Sequence, residues 1–378
     1  MSAPVLFWVQ HLLGSGHLRR TAAIARALSD QGVETVIASG GMPLSHLESG
    51  AARLVQLPAI HASAAGFSCL VDDNGAPVGD RLWDERENVL EELATTLRPG
   101  VVVTETYPFG RRQLRREALT LIEAATRSEP RPVVVCSVRD ILQRASKPER
   151  YDEMLAVALD HYDHVLVHGD PDLISFSDTF PLAKALGDRV IHTGYIASAP
   201  ATHQGTAGSG EVIVSAGGGA VGAELLSTAI AARGLAEQAG GLTWRMLTGD
   251  PSLSEALDTR AEGLIVEPNR PDFPELLANC AVSVSQGGYN TVIDLVQASA
   301  RAVIVPFAGE GETEQTERTR KLAQRDMVEI IEEDELTPEN LAAAVDRALD
   351  RPRLDAGEIN LDGVRHSARC LAQWAGHD

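Results

Sequence analysis

Apolar and polar positions along this chain fall into two alternating patterns. Unbroken apolar runs recur through the first half: "PVLFWV", "VETVIAS", "GVVVTE", "RPVVVCSV" and "HVLVHG". Between them, apolar residues spaced three and four apart predict helices over 18–30, 43–50, 112–128 and 149–161. A strand that stays apolar at every position suits a sheet covered on both faces, and 3.6-residue spacing suits the helices that cover it. The alternation therefore predicts βαβ units and a parallel sheet.

The rhythm then restarts. "EVIVSAGGG" opens a second series, followed by a helix near 221–239, "TWRMLTG", "GLIVEP", a helix near 272–279, "AVSVSQGG", a helix near 290–298, and "RAVIVPF". Between the series lies "ASAPATHQGTAGSG" (197–210), whose small residues and proline read as a linker. The expected architecture is α/β, with two Rossmann-like domains whose parallel sheets face a cleft. Their bounds are 1–198 and 211–360, joined by 199–210 and followed by a C-terminal helix within 361–378. That helix, with Leu361, Val364, Leu371 and Trp374 at helical spacing, suits packing on either domain. Phe67–Trp83 lacks periodicity and reads as a long loop.

Composition narrows the functional classes. Fifty-three acidic against 33 basic residues leave a formal net charge of −20, which argues against a nucleic-acid partner. The four cysteines are too scattered for a zinc site or a disulfide framework. The run "VLFWV" is too short to span a bilayer, and no signal peptide opens the chain, so a cytoplasmic location is expected.

Several strand-to-helix turns carry candidate chemistry. "HLLGSGHLRR" leaves an apolar strand through Gly14 and Gly16 and places His17 at a helix start. Histidine moves protons near neutral pH, and glycine lets backbone approach a ligand, although a plain turn explains the same residues. Glu105 ends the strand "GVVVTE", where a ligand-facing acid or base belongs in this fold class. Arg139 and Asp140 end "RPVVVCSV" and suit either an acceptor or a loop brace, whereas His168 reads as structural. Arg111, Arg112, Arg115 and Arg116 gather near a helix start, either as a solvated face or as a contact for an anionic acceptor or a membrane. "DD" at 72–73 and "GDPD" at 169–172 read as turn formers, and no metal cluster is expected.

Two glycine turns stand out in the second half. Ser215 with Gly217, Gly218 and Gly219 leaves a strand and opens a helix, the arrangement in which free backbone N–H groups hold a phosphate. Gly217, Gly219 and Gly222 also fit the dinucleotide fingerprint, with Asp250 a late ribose ligand, so an NAD-type oxidoreductase is a rival. The second turn ends a strand at Gly287 and Gly288 and puts Asn290 and Thr291 at a helix start. Asp294 follows a turn later, placed to accept hydrogen bonds from a ribose diol. Two such turns in one domain suit a nucleotide diphosphate.

On these residues the chain resembles the GT-B glycosyltransferases, within them the family 28 branch of the lipid II-forming N-acetylglucosaminyltransferase. The most specific stretches are "ELLANCAVSVSQGGYNTVIDLVQASARAVIVPF" and "EGETEQTERTRKLAQRDMVEII". The resemblance implies that Asp294 binds the ribose and that Glu314 and Gln315 contact the donor sugar. It also implies that Ser215 and Gly217–Gly219 lie under the diphosphate and that backbone near Val266 reads the base. The family more often has Glu at 294 and a Gln pair at 314–315, so the sugar stays open. Gly14, Gly16 and His17 match the family's N-terminal loop, which lies beneath the donor phosphates, so that Gly14 and Gly16 would bind the donor, and faces the acceptor. "GSGHLRR" is also similar to the Gly-x-Gly-His-x-x-Arg loop of a nucleotide-sugar hydrolase of pseudaminic acid synthesis, in which the histidine handles water.

The expected activity is inverting, metal-independent transfer from a nucleoside-diphosphate sugar, a UDP-sugar by resemblance, to an unidentified acceptor. His17 or Glu105 would be the base. No separate cofactor is expected, because the nucleotide sugar is a substrate. The acceptor is lipid-linked or anionic if the arginine patch docks on a membrane. Hydrolysis, NAD-type oxidoreduction and a silent sugar-nucleotide sensor are the alternatives.

Overall fold

The computed structural model describes residues 2–377 apart from 13, 45, 64–65, 146, 198–204, 217–221, 250–260 and 310–312; for 66–68 it describes the backbone. The chain divides into two units, Met1–Ile196 joined by Asp362–Asp378, and Ala197–Leu361.

The N-terminal unit holds strands β1 (Val5–Val9), β2 (Thr35–Ser39), β3 (Arg53–Gln56), β4 (Ile60–Ser63), β5 (Gly66–Asp72), β6 (Val101–Glu105), β7 (Val133–Arg139), β8 (His164–His168) and β9 (Val190–His192). Seven of them form a parallel sheet in the order β3-β2-β1-β6-β7-β8-β9. Every residue of β1, β2 and β6 is buried, as the unbroken apolar runs require. The covering helices are α1 (Gly16–Asp30), α2 (Asp80–Leu97), α3 (Arg115–Thr126), α4 (Glu149–His161) and the short α5 (Phe176–Thr179). Strand order reverses between β1 and β6, so the carboxyl ends of these two neighbours form the switch point where ligands bind in such sheets.

The C-terminal unit repeats the plan with β10 (Val212–Ser215), β11 (Trp244–Thr248), β12 (Leu264–Pro268), β13 (Val282–Ser285), β14 (Ala302–Ile304) and β15 (Glu329–Ile330). Their parallel order is β12-β11-β10-β13-β14-β15, and the switch point lies between β10 and β13, where Ser215 pairs with Ser285. Its helices include α6 (Gly222–Arg233), α7 (Phe273–Asn279), α8 (Tyr289–Gln297), α9 (Glu314–Gln324) and α10 (Pro338–Asp350). Residues 205–208 of the linker pack on α7, with Asn279 Nδ2 donating to the carbonyls of Gly205 and Ala207. The chain then returns: α11 (Gly363–Trp374) packs against α1, burying Ala368, Leu371 and Ala372 in the N-terminal core.

Three expectations change. The described residues of 43–50 are irregular rather than helical. Phe67–Trp83 is not a loop: β5 pairs antiparallel with β4, and α2 begins at Asp80. The turn between them is built by Asp72, whose Oδ1 accepts the N–H groups of Asn74 (3.0 Å) and Ala76 (2.8 Å). Finally, α2, absent from the apolar pattern, is tied down by a buried ion pair. Arg86 reaches both oxygens of Glu117 on α3 at 2.7 Å, and neither side chain is exposed (0%). Trp8 Nε1 donates to Glu117 Oε1 (3.1 Å), while Arg86 donates to Gln10 Oε1 (2.8 Å) and to the Gly40 carbonyl (3.0 Å).

Candidate functional site

At the first switch point, β1 runs out through Gln10 and His11 into the glycine loop, and α1 begins at Gly16. A Cβ at Gly14 would meet nothing within 4 Å, so packing gives no reason for glycine there. The helix buries Leu18, Ala22, Ala25 and Leu28 against the sheet and carries Arg20 inward beside His17. Glu105 ends the adjacent strand β6. The two sequence candidates meet: His17 Nδ1 lies 2.7 and 2.8 Å from the Glu105 oxygens. Arg20 Nη2 donates to Glu105 Oε1 (2.9 Å), and Thr106 Oγ1 donates to Oε2 (2.7 Å).

These bonds set the protonation. Burial alone would raise the Glu105 pKa, but His17, Arg20 and Thr106 together hold the carboxyl well below the usual range. Burial lowers His17 to about 4; Glu105 opposes this, while Arg20 and Arg111 add to it. At pH 7 the pair is therefore a carboxylate and a neutral imidazole. With the proton of Nδ1 donated to Glu105, Nε2 keeps its lone pair, and the site can take a proton from a hydroxyl or a water.

The surrounding candidates separate by role. Asp140 is fully buried; it accepts the Ile141 N–H (2.8 Å) and the Tyr195 hydroxyl (3.0 Å) and braces the turn. His168 bonds Ser137 (2.7 Å) and Thr193 (2.9 Å), and burial pushes its pKa down to about 3, so it is held neutral inside the unit. Arg139, half-buried, ends β7 close enough to Arg111 for their charges to interact. The four arginines do not form one patch. Arg112 pairs with Glu153, Arg116 pairs with Asp84 and Glu87, and Arg115 is exposed, whereas Arg111 is half-buried and close enough to Glu105 and His17 for their charges to interact. Thr106 went unrecognised in the sequence; Arg20, the last residue of "GSGHLRR", was given no role of its own, although it lies three residues after His17 on the same helical face.

At the second switch point Ser215 ends β10, half-buried, and Gly217, Gly218 and Gly219 lie outside the described residues. Gly222 opens α6 within reach of β10, since its Cβ would lie 2.1 Å from Ala216 Cβ. After β13, Gly287 and Gly288 lead into α8, whose first N–H groups have no side-chain cap. The two glycines differ. A Cβ at Gly287 would lie 2.4 Å from Thr319 Oγ1, whereas at Gly288 the nearest atom is 3.8 Å away. Gly287 is required by packing, and Gly288 is not.

Asn290 is exposed and Thr291 half-buried on the first turn of α8. Asp294 is half-buried one turn further, and among the described residues its carboxylate has no hydrogen-bond partner. Burial pushes its pKa up to about 6. Glu314 is buried and accepts from Arg318 Nη2 (2.9 Å), while Arg318 Nη1 donates to the Gly287 carbonyl (3.2 Å) and the guanidinium lies 5.4 Å from the Tyr289 ring centre. Glu314 thus supports the glycine turn through Arg318, a residue without a sequence signal beyond its i+4 spacing. Gln315 accepts the Phe307 N–H (3.1 Å). Val266 lies half-buried on the edge strand β12, whose outer backbone edge is unpaired within the sheet. Among the described residues no group of His, Cys, Asp and Glu could hold a metal ion, and no helix is long and apolar enough to cross a membrane.

The model of the glycosyltransferase family 28 C-terminal domain matches residues 213–358, a span that takes in both glycine turns, Asp294 and Glu314. The C-terminal unit is a family 28 glycosyltransferase domain. A curated relative, the UDP-N-acetylglucosamine–N-acetylmuramyl-(pentapeptide) pyrophosphoryl-undecaprenol N-acetylglucosamine transferase of Paramagnetospirillum magneticum, is 26% identical over 191 residues. That match covers 47% of this chain and 51% of the relative, about half the length of each. Among solved structures, MurG of Acinetobacter baumannii superposes with a TM-score of 0.64 at 14% identity, covering 98% of this chain and 99% of that one. The calicheamicin glycosyltransferase CalG4 superposes with a TM-score of 0.61 at 13% identity, covering 100% and 96%. With two parallel-sheet units, the fold is GT-B.

Proposed function

We propose that this chain transfers a sugar from a nucleoside-diphosphate donor, with uridine as the base, to an acceptor hydroxyl. His17 Nε2 takes the hydroxyl proton, and Glu105 stabilises the imidazolium that forms. The acceptor oxygen attacks the anomeric carbon from the face opposite the diphosphate, the sugar–phosphate bond breaks, and configuration inverts. The products are the glycoside and a nucleoside diphosphate, and the proton leaves from His17 to solvent. N–H groups at the start of α8 and the positive end of that helix take up the charge of the leaving diphosphate, a role that otherwise falls to a metal ion.

Asp294 carries the donor half of this reading. A carboxylate buried enough to raise its pKa to about 6, with no described partner, lowers the stability of the free fold. A ribose diol would supply the missing donors. Asp294→Asn is therefore expected to raise the melting temperature of the free protein and to weaken UDP binding about 10-fold or more. Binding by the unchanged protein should weaken as pH falls through about 6, where Asp294 gains its proton. Calorimetric titration with UDP and thermal melts test both. Unchanged UDP affinity in Asp294→Asn would overturn the donor site. Full-rate sugar release to water with no acceptor would replace transfer by hydrolysis.

A further inference from the structure

The residue after Glu105 keeps a costly backbone conformation. Thr106 has a φ of 69°, and the Tyr107 N–H returns to the Glu105 carbonyl (2.9 Å), closing a γ-turn centred on Thr106. Turns of this hand are rare and strained, and a β-branched residue fits them worst. Neighbouring contacts hold it there. The Thr106 N–H donates to the Ser137 carbonyl on β7 (2.8 Å), and Thr104 Oγ1 donates to the Tyr107 carbonyl (2.8 Å). Phe109 anchors the chain that follows, its ring lying 5.3 Å from that of Phe176 and 5.0 Å from that of Phe180. Strain imposed by so many contacts points to a task for the strained residue.

That task is visible in what Thr106 touches. Its Oγ1 donates to Glu105 Oε2 (2.7 Å) and lies 3.4 Å from His17 Nδ1, while Arg20 Nη2 donates to Oε1 (2.9 Å). Each carboxylate oxygen thus has its own donor, and the imidazole nitrogen meets both oxygens, at 2.7 and 2.8 Å. Arg20 alone would not fix this arrangement, because a carboxylate free to turn gives both oxygens to a guanidinium. The imidazole would then lose the acceptor that keeps its proton on Nδ1 and its lone pair on Nε2. Gly110 in turn sets the Thr106 side chain. A Cβ at Gly110 would meet only Thr106, 2.6 Å from Cγ2, so the threonine methyl group fills the space that glycine leaves. With Cγ2 held there, Oγ1 is directed at Glu105.

We propose that Thr106 is a positioning residue: it divides the Glu105 carboxylate between Arg20 and His17 and so selects the imidazole tautomer that can accept a proton. The proposal rests on His17 as base and adds a residue that acts through Glu105. It accounts for threonine at this position. Serine would supply the hydroxyl without the methyl that aims it, and valine would supply the methyl without the hydroxyl. It accounts for Gly110 as well, whose φ is not positive and whose backbone therefore suits any residue. What excludes a side chain at 110 is the Thr106 methyl group.

The test uses the full chain, isotopically labelled at the histidine ring nitrogens, without donor or acceptor. The His17 resonances are identified by their loss in His17→Gln, and their NMR shifts near neutral pH report which nitrogen carries the proton. In the unchanged protein it should sit on Nδ1. Thr106→Val should lose that signature and show mixed tautomers, and Thr106→Ser should restore most of it. Gly110→Ala pushes a methyl onto Thr106 Cγ2 and should disturb the tautomer as Thr106→Val does. Added to Thr106→Ser, where Cγ2 is gone, the same change should have no effect. Thermal melts show which variants are folded; if Thr106→Val is not, Gly110→Ala decides in its place. An Nδ1 proton fully retained in the folded variant would overturn the proposal. A proton on Nε2 in the unchanged protein would instead remove His17 as base, a failure visible before any change is made at Thr106.

Discussion

His17 and Glu105, 88 residues apart, come together through two contacts of 2.7 and 2.8 Å at the same imidazole nitrogen. The sheet produces this: β1 and β6 are neighbours at the switch point, and each residue lies at or just beyond the carboxyl end of its strand. If the imidazole is the base, His17→Gln and Glu105→Gln should each slow turnover about 10²- to 10⁴-fold. UDP affinity should be unchanged in both, because Asp294 and the glycine turns are untouched. The pH profile separates this from a structural role. Neutral His17 is the active form and its pKa is lowered to about 4, so turnover at saturating donor should be flat through pH 6.5 and fall only as pH drops toward 4. A fall centred near 6.5 would mean that the imidazole is solvated and does not act from this geometry.

The two glycines of the second turn allow fold and function to be read apart. Gly287→Ala forces a methyl to within 2.4 Å of Thr319 Oγ1 and should destabilise the fold. Gly288→Ala makes only an ordinary contact, 3.8 Å from Thr291 Oγ1, and its φ of −61° suits any residue, so its melting temperature should match that of the unchanged protein. Its methyl group would nevertheless occupy the approach to the first N–H groups of α8. Loss of UDP binding without loss of stability in Gly288→Ala is the expected result; thermal melts and titration measure the two quantities.

The Arg86–Glu117 pair should behave as a structural lock. Removing one partner leaves the other charge buried, so Arg86→Met is expected to cost about 3–5 kcal/mol in urea denaturation. Pairing it with Glu117→Leu should cost less than the sum of the two single changes, because no lone charge remains. Additive losses would show that the two side chains act independently, against their contacts of 2.7 Å.

Legibility followed local physics. "VVVTE" and "VLFWV" could be read as buried strands because a parallel sheet covered on both faces demands unbroken apolar residues. Glycine turns after strands were legible for a similar reason. Phe67–Trp83 was not, since β5 pairs only with the four-residue β4 in a separate two-stranded sheet, outside the parallel sheet whose strands read as unbroken apolar runs. Nor was α2, a helix with half its length exposed and its register set by the buried Arg86, a residue type that patterns assign to the surface.

The sequence by itself determined the class of fold, its division into two units, and the strand-to-helix turns that offer backbone to a ligand. Those properties depend on the periodicity of neighbouring residues and on the conformational freedom of glycine. Tertiary structure alone decided which candidates act together. It joined His17 to Glu105, brought Arg318 to the Gly287 carbonyl, and left Asp294 without a described partner. Each outcome depends on strand order and on which side chains share a buried space, and both are set by contacts between residues far apart in the chain.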